Sequence, residues 1–148
     1  IQNWPLLAVP LTMADKLIGL APVKDHHRSG ASMTVKNWYG LLGGRRNLFH
    51  QRIHTIIAEL AMMMRPTLVI LDGTSSMMAN GPTGGSLDDL RETRTLIAGT
   101  DPVAVDAAGA ALLGKTPQDL PHLALAEKAG AGTAAYQSLR PVEVGGPV

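Results

Sequence analysis

The chain has no cysteine among its 148 residues. Disulfides, thiolate zinc sites and thiolate-held iron–sulfur clusters are therefore excluded within it. Aromatic residues make up only 3% of the sequence, so a core must come from Leu, Ile, Val, Ala and seven Met. No apolar run approaches the roughly 20 residues that span a bilayer. No basic-then-apolar signal segment opens the chain. It starts at Ile1 rather than Met, which suits a trimmed piece of a longer protein. The missing cysteines say little about compartment, and a cytoplasmic setting is the default. Charged residues are also few, 17%, with a net charge of +1. That argues against a nucleic-acid footprint, as does a basic segment with only Trp38 and Tyr39 to stack on bases.

What is present reads as one folded domain, with 45% apolar residues and enough chain for a real core. The charges are unevenly spread. Residues 1–65 carry eight Lys/Arg against three Asp/Glu, and residues 66–148 carry five against nine. Four of the five histidines, His26, His27, His50 and His54, lie in the basic half. The densest stretch is KDHHRSGASMTVKNWYGLLGGRR, residues 24–46, with five cations, two adjacent histidines and four glycines. A basic, histidine-rich patch beside an acidic half suggests an anion or metal site between them, against the plainer reading of scattered surface charge.

Strand and helix patterns alternate. PLLAVPL (5–11) reads as an edge strand or loop, and DKLIGLAPV (15–23) as a strand. Residues 24–47 read as a long loop, of the kind that is usually functional or mobile. LFHQRIHTIIAELAMMMR (48–65) reads as a helix whose apolar stripe is Phe49, Ile53, Ile56, Ile57, Leu60 and Met64, with Arg65 and Pro66 as stop signals. TLVILDG (67–73) reads as a buried central strand, residues 74–92 as a second long loop, and RTLIAGT (94–100) as another strand. DPVAVDAAGAALLG (101–114) reads as a helix with Pro102 in its first turn and Gly114 at its end. A further helix is expected over 116–130, limited by Pro121, and a last strand over 141–146. The pattern implies a single α/β domain with a mostly parallel sheet covered by helices. In such sheets ligands sit at the carboxyl ends of strands, where three loops would converge: 24–47, 73–92 and the Gly99–Asp101 turn.

Several residues in these loops carry possible chemistry. His50 and His54, four apart, share one side of a helix and can hold a divalent metal, but Gln51 stands where a zinc-protease motif needs glutamate. A boundary histidine bonded to backbone is the alternative. In extended chain, only one of His26 and His27 would face a given site. Lys36 and Asn37, with Gly40, Gly43, Gly44 and Arg45/Arg46, suit a phosphate- or carboxylate-binding loop without the Walker spacing. A flexible solvated loop is the alternative. Asp72, at a strand end, faces either a ligand crevice or an Asp-Gly turn. GPTGG (81–85) either wraps a ligand or turns. Asp106 lies in a helix apolar nearly all round and needs a partner, whether Lys36, an arginine, a histidine or a metal; a structural ion pair or backbone bond is the alternative. Asp101 reads as a helix-start residue before a ligand.

The order LIGLAPVKDHH, MTVKNWYGLLGG, a His-bearing helix, LVILDG, GPTGG and LIAGTDPVAVDAAGAALLG resembles the family called domain of unknown function 362. The resemblance covers roughly residues 15 to 132 and lies in the joint order of short motifs. It implies functional positions at Lys24, His26, Thr34, Lys36, Asn37, Gly40, His50, Asp72, Gly73, Gly81, Pro82, Gly84, Asp101 and Asp106. Members of that family often occur beside ferredoxin-type iron–sulfur modules, which implies a redox setting. No cysteine-rich module is present here, so an electron-transfer role requires a partner or a further segment.

Two expectations follow. The first is a catalytic domain that binds an anionic small molecule, with a divalent metal as a possible cofactor. Lys24, Thr34, Lys36, Asn37, Gly40, Gly81, Pro82, Gly84 and Asp101 would hold the ligand. His26, Lys36, Asp72 and Asp106 would do chemistry, with His26, His50, Asp72 and Asp106 as metal ligands. The second is a non-catalytic module that docks an iron–sulfur partner or oligomerises through Met62, Met63, Met64 and the basic loop.

Overall fold

In a computed structural model of the chain, residues 1, 3–7 and 9–145 are described. Four strands form one sheet: β1 (Ile18–His26), β2 (Gly30–Ser32), β3 (Leu68–Met77) and β4 (Leu90–Gly99), in the order β2-β1-β3-β4. Among the described residues five α-helices accompany them: α1 (Val9–Thr12), α2 (Thr34–Asn37), α3 (Ile53–Met63), α4 (Pro102–Gly109) and α5 (Pro121–Lys128).

The fold is α/β, but its sheet is mixed. Only β1 and β3 run parallel; β2 pairs antiparallel to β1, and β4 antiparallel to β3. The expectation of a mostly parallel sheet fails because two connections, a tight one at 27–29 and a longer one at 78–89, return the chain antiparallel to its neighbour. The long loop expected over 24–47 is largely strand and helix, whereas the one expected over 74–92 keeps an irregular stretch at 78–86 between two strands. β1 continues to His26 and turns straight into β2, while β3 runs to Met77 and returns as β4 from Leu90. A crossover helix, required for parallel neighbours, is present only between β1 and β3. One consequence is that the Gly99–Asp101 turn does not join the other two loops. Gly99 pairs with Val69 at the start of β3, so that turn lies at the opposite end of the sheet.

Alternation along the strands shows which face is covered. Ala21, Val23, Val69 and Leu71 are buried and pack with Val35, Ile57, Val103 and Leu123 from the helices. Gly19 belongs to this face, and a Cβ there would stand 2.8 Å from the Trp38 ring, so only glycine admits the indole. The opposite face is open: Ile18, Leu20 and Leu96 are 59%, 63% and 64% exposed.

The helix expected over 48–65 is a 3-10 turn at Arg46–Arg52 followed by α3, and Ile53, Ile56, Ile57 and Leu60 are buried as its periodicity requires. It ends at Met63, with Met64 extended, and Pro66 disfavours helical backbone at Arg65 before it. The expected helix over 101–114 is α4 plus a 3-10 turn at Ala110–Leu113. Over 116–130, Pro121 splits a short turn, Pro117–Asp119, from α5. In the 5–11 stretch, Leu6 forms an isolated bridge with Leu42 and Val9–Thr12 is helical; Ala8 lies outside the described residues. Residues 141–145 form no strand, and Gly146 lies outside the described residues.

Candidate functional site

The end of β1, the β1–β2 turn and the segment through α2 meet the Arg46–Arg52 turn, α3 and the start of α5. His26 ends β1 and is 2% exposed. Its Nδ1 accepts from the backbone amides of Arg28 and Ser29, both at 3.2 Å, which leaves Nε2 for another partner. The turn after His26 brings His27 alongside rather than opposite, and the two rings stack with centroids 5.2 Å apart. The expectation that adjacent residues diverge fails because the strand stops between them. His27 Nδ1 lies 3.3 Å from the Gly81 carbonyl.

Lys36 sits half-buried on α2, with Nζ 5.5 Å from the centre of the Tyr39 ring. Tyr39 is fixed in turn, because its hydroxyl donates to the Arg46 carbonyl at 2.5 Å. Arg46 Nη1 donates to the Gly40 carbonyl at 3.0 Å and so staples the glycine loop. His50 packs against Tyr39 with centroids 5.6 Å apart, and its Nδ1 lies 3.0 Å from the Asn47 carbonyl. On α3, His54 stacks on His122 of α5 at 5.8 Å and 10°. A cavity of about 490 Å³ opens beside them, lined by Arg28, His50, Gln51, Arg52, His54 and neighbours.

The groups are close enough to shift one another. Burial, then the charges of Lys36, His27 and His50, lowers the His26 pKa to about 4. Burial, then Lys24 and Arg46, lowers Lys36 to about 8. Burial, then His54, Lys36 and His26, lowers His122 to about 3. Every charge named in these shifts is a cation. Among the described residues the ion pairs are Ile1–Glu59, Arg94–Glu92 and Lys115–Asp25, and none involves Lys24, Arg28, Lys36, Arg46 or Arg52. Like charges held together without a counter-ion favour an anion and leave the histidines neutral.

The remaining expected residues are placed elsewhere. Asp106, 1% exposed, accepts at Oδ1 from the Thr34 amide and hydroxyl at 2.8 and 2.5 Å, and at Oδ2 from the Val35 amide at 3.0 Å. Met33, at the N-cap of α2, offers no capping side chain, and Asp106 supplies the acceptor from α4. Burial raises its pKa to about 6 against the pull of those bonds. Thr34 is thus engaged internally. Asp101 caps α4, with Oδ1 accepting from Val103 and Ala104 and Oδ2 from Thr133, which is the helix-start role. Asp72 alternates with the buried Leu71 and Gly73, faces the open side of the sheet, and accepts from Thr74. Asn37 donates to the Leu20 carbonyl at 3.1 Å. Gly40 is exposed, and a Cβ added there would meet nothing within 4 Å.

His26, His50, Asp72 and Asp106 therefore do not form one metal-ligand set. Asp72 is on the wrong face, and Asp106 is consumed by α2. Among the described residues no group of three or more His, Cys, Asp or Glu could hold a metal ion. The 81–85 loop is built close against β1: a Cβ on Gly81 would lie 2.0 Å from the Asp25 carbonyl oxygen, so this glycine is required by packing. Pro82 follows through a cis bond, and Gly84 stands in open space with φ +92°.

The residue that sequence reasoning missed is His122. It lies in the acidic half, in PHLALAEK, where its position reads as helix surface or core. It is 1% exposed, and its Nδ1 and that of His54 are buried without a hydrogen-bond partner. Only the helix-start proline beside it hinted that its backbone was fixed.

Comparison with known proteins adds the following. The family described as Domain of unknown function (DUF362) matches residues 1–111. A thylakoid-associated protein of Synechocystis sp. is 30% identical over 137 residues, covering 87% of this chain. The chain spans 42% of the length of that relative. No solved structure matches.

Proposed function

From the premise that the chain belongs to the DUF362 family, whose function its description leaves open, we propose that it binds an anionic small molecule at the cluster of Lys24, Lys36, Arg46, His26 and His50. One observation carries this reading: Lys24, Arg28, Lys36, Arg46 and Arg52 lie on the segments that carry His26 and His50, and none has a carboxylate partner among the described residues. Lys36 and the arginines supply charge, and His26 Nε2 supplies a donor or acceptor for proton transfer. Gly81 and Pro82 support the site by holding the end of β1 through backbone contact. Asp106 and Thr34 support it by holding α2, and with it Lys36. A divalent metal has no ligand set in this reading.

An arriving anion favours the protonated imidazoles, so binding should take up protons. Calorimetry with inorganic phosphate and with oxalate, in two buffers of different ionisation heat, tests this. The expected result is net proton uptake and an affinity that falls steeply with salt. No binding of either anion at low ionic strength would sink the reading.

A second reading is a non-catalytic module that docks a ferredoxin-type partner. Its support is a groove of about 790 Å³ lined by Trp4, Leu6, Met62, Met63 and Leu125. The relative's thylakoid association suits it. Met64 does not contribute, since it is buried with Leu60 and Trp38. Salt-sensitive association with a reduced ferredoxin, unaffected by oxalate, would favour it over the first.

A further inference from the structure

We propose that the cavity at the start of α3 is a binding site for a phosphate monoester, with Arg28 and Arg52 holding the phosphate. It shares only His50 with the cluster around Lys36 and does not depend on an anion binding there.

The cavity measures about 490 Å³ and opens where the β1–β2 turn meets the junction of the Arg46–Arg52 turn with α3. That volume lies in the range of small-ligand sites. Its polar wall is Arg28, His50, Gln51, Arg52, His54 and Thr55, with no carboxylate among them. The two arginines reach it from separate segments. Arg28 sits in the β1–β2 turn, where its amide donates to His26 Nδ1 at 3.2 Å. Arg52 is the N-cap residue of α3. Both are exposed, and neither forms an ion pair among the described residues. Two guanidinium groups on one cavity repel each other, and an anion between them reverses the sign of that interaction.

The helix adds to the same field. α3 is 11 residues long, its N-cap makes no side-chain capping bond, and no acid stands in its first turn. The positive end of its dipole is therefore not neutralised locally, and Ile53, His54 and Thr55 of that first turn line the cavity. His50 has a fixed tautomer. Its Nδ1 lies 3.0 Å from the Asn47 carbonyl, which only accepts, so Nδ1 carries the proton and Nε2 the lone pair. Nε2 can accept from the hydroxyl of a singly ionised phosphate, or donate to a doubly ionised one after taking up a proton. The fold supplies no hydrogen-bond partner to the buried Nδ1 of His54 on the same wall.

These groups suit phosphate better than carboxylate. A carboxylate has one pair of oxygens, which one guanidinium fork satisfies. A phosphate monoester has three terminal oxygens and a charge of about −1.5 to −2 at neutral pH, so it can bridge two arginines and still meet His50. The cavity exceeds a phosphate group in volume, which leaves room for the organic part of the ester beside Ile53 and Thr55.

The test is calorimetric titration of the chain with phenyl phosphate and, separately, with oxalate, at neutral pH and low salt. Arg28→Gln and Arg52→Gln should each weaken phenyl phosphate binding by about tenfold or more. Oxalate affinity should change by less than about twofold in the same variants, because the two sites are separate. Lys128→Gln removes one charge from the exposed surface of α5 and should change neither. On the unaltered chain, phenyl phosphate should protect the Arg52 peptide from phenylglyoxal. Co-sedimentation with phosphatidylcholine vesicles containing phosphatidic acid separates the two sources of such a group. Sedimentation that Arg52→Gln abolishes assigns the site to a lipid headgroup, and none assigns it to a soluble ester. Arginine-dependent phenyl phosphate binding without oxalate binding sustains this site and counts against the Lys36 cluster. Phenyl phosphate binding that survives both arginine substitutions overturns the proposal, as does oxalate binding alone, and either leaves the Lys36 cluster standing. Equal loss of both anions in the arginine variants merges the two sites and overturns a separate phosphate site. Failure of both anions to bind overturns both readings.

Discussion

His26 shows how a single side chain couples packing to pH. Its ordinary pKa of 6.5 falls to about 4, chiefly through burial. As pH drops below 6.5, the unfolded chain takes up the proton first. The stability that neutral His26 contributes is therefore present above 6.5 and lost as pH falls toward 4. His54 and His122 are lowered in the same direction. Asp106 opposes them, because its raised pKa stabilises the fold at low pH and loses that effect as pH climbs toward about 6. With three groups against one, melting temperature should fall on acidification from pH 7 to 5. His26→Asn retains an acceptor for the Arg28 and Ser29 amides but takes no proton. Its pH–stability curve should be shallower by about one proton, as measured by urea unfolding across that range. An unchanged slope would remove His26 from the titrating set.

Among the elements, the junction of α4 with α2 matters most to the site. The sequence marks α4 clearly through Asp101 and Pro102, and it flags Asp106 as a buried carboxylate in need of a partner. It does not show that the partner is the backbone of a helix 71–72 residues earlier. Three hydrogen bonds converge on this one group, and an amide cannot accept all of them without turning a donor toward a donor. Asp106→Asn should therefore cost about 2–4 kcal/mol in denaturant unfolding. The half-exposed, solvent-side Asp72→Asn should change little. Equal, small effects would show that the carboxylate is not what holds α2. The cores of β1, β3 and β4 were legible as apolar and β-branched runs, whereas β2, inside the expected 24–47 loop, and the strand directions were not. Chain direction in a sheet depends on whether a connection carries a crossover helix, and those at 27–29 and 78–89 carry none.

At the scale of the whole molecule, the described helices cover one side of the sheet and leave the other open. Leu71 faces them and is fully buried, while Leu96, one strand over, is 64% exposed on the open side. Leu96→Thr should shift stability by no more than about 0.5 kcal/mol, whereas Leu71→Ala should cost about 2–5 kcal/mol. Thermal melts of the two variants measure the contrast. A large loss in Leu96→Thr would mean that the open face is packed in solution.

The residues near one another in sequence declared themselves from it: the lysine–glycine segment, the apolar stripe of α3, the cap of α4, and the family to which the motif order belongs. These depend on local periodicity, charge and short spacing, which the linear order preserves. The tertiary structure alone decided that His122 joins His54 from the other half of the chain. It also turned Asp72 away from Asp106, and left the cations around Lys36 without an acid. Those outcomes depend on strand direction and on which sheet face the helices cover, and neither is written in any short stretch of residues.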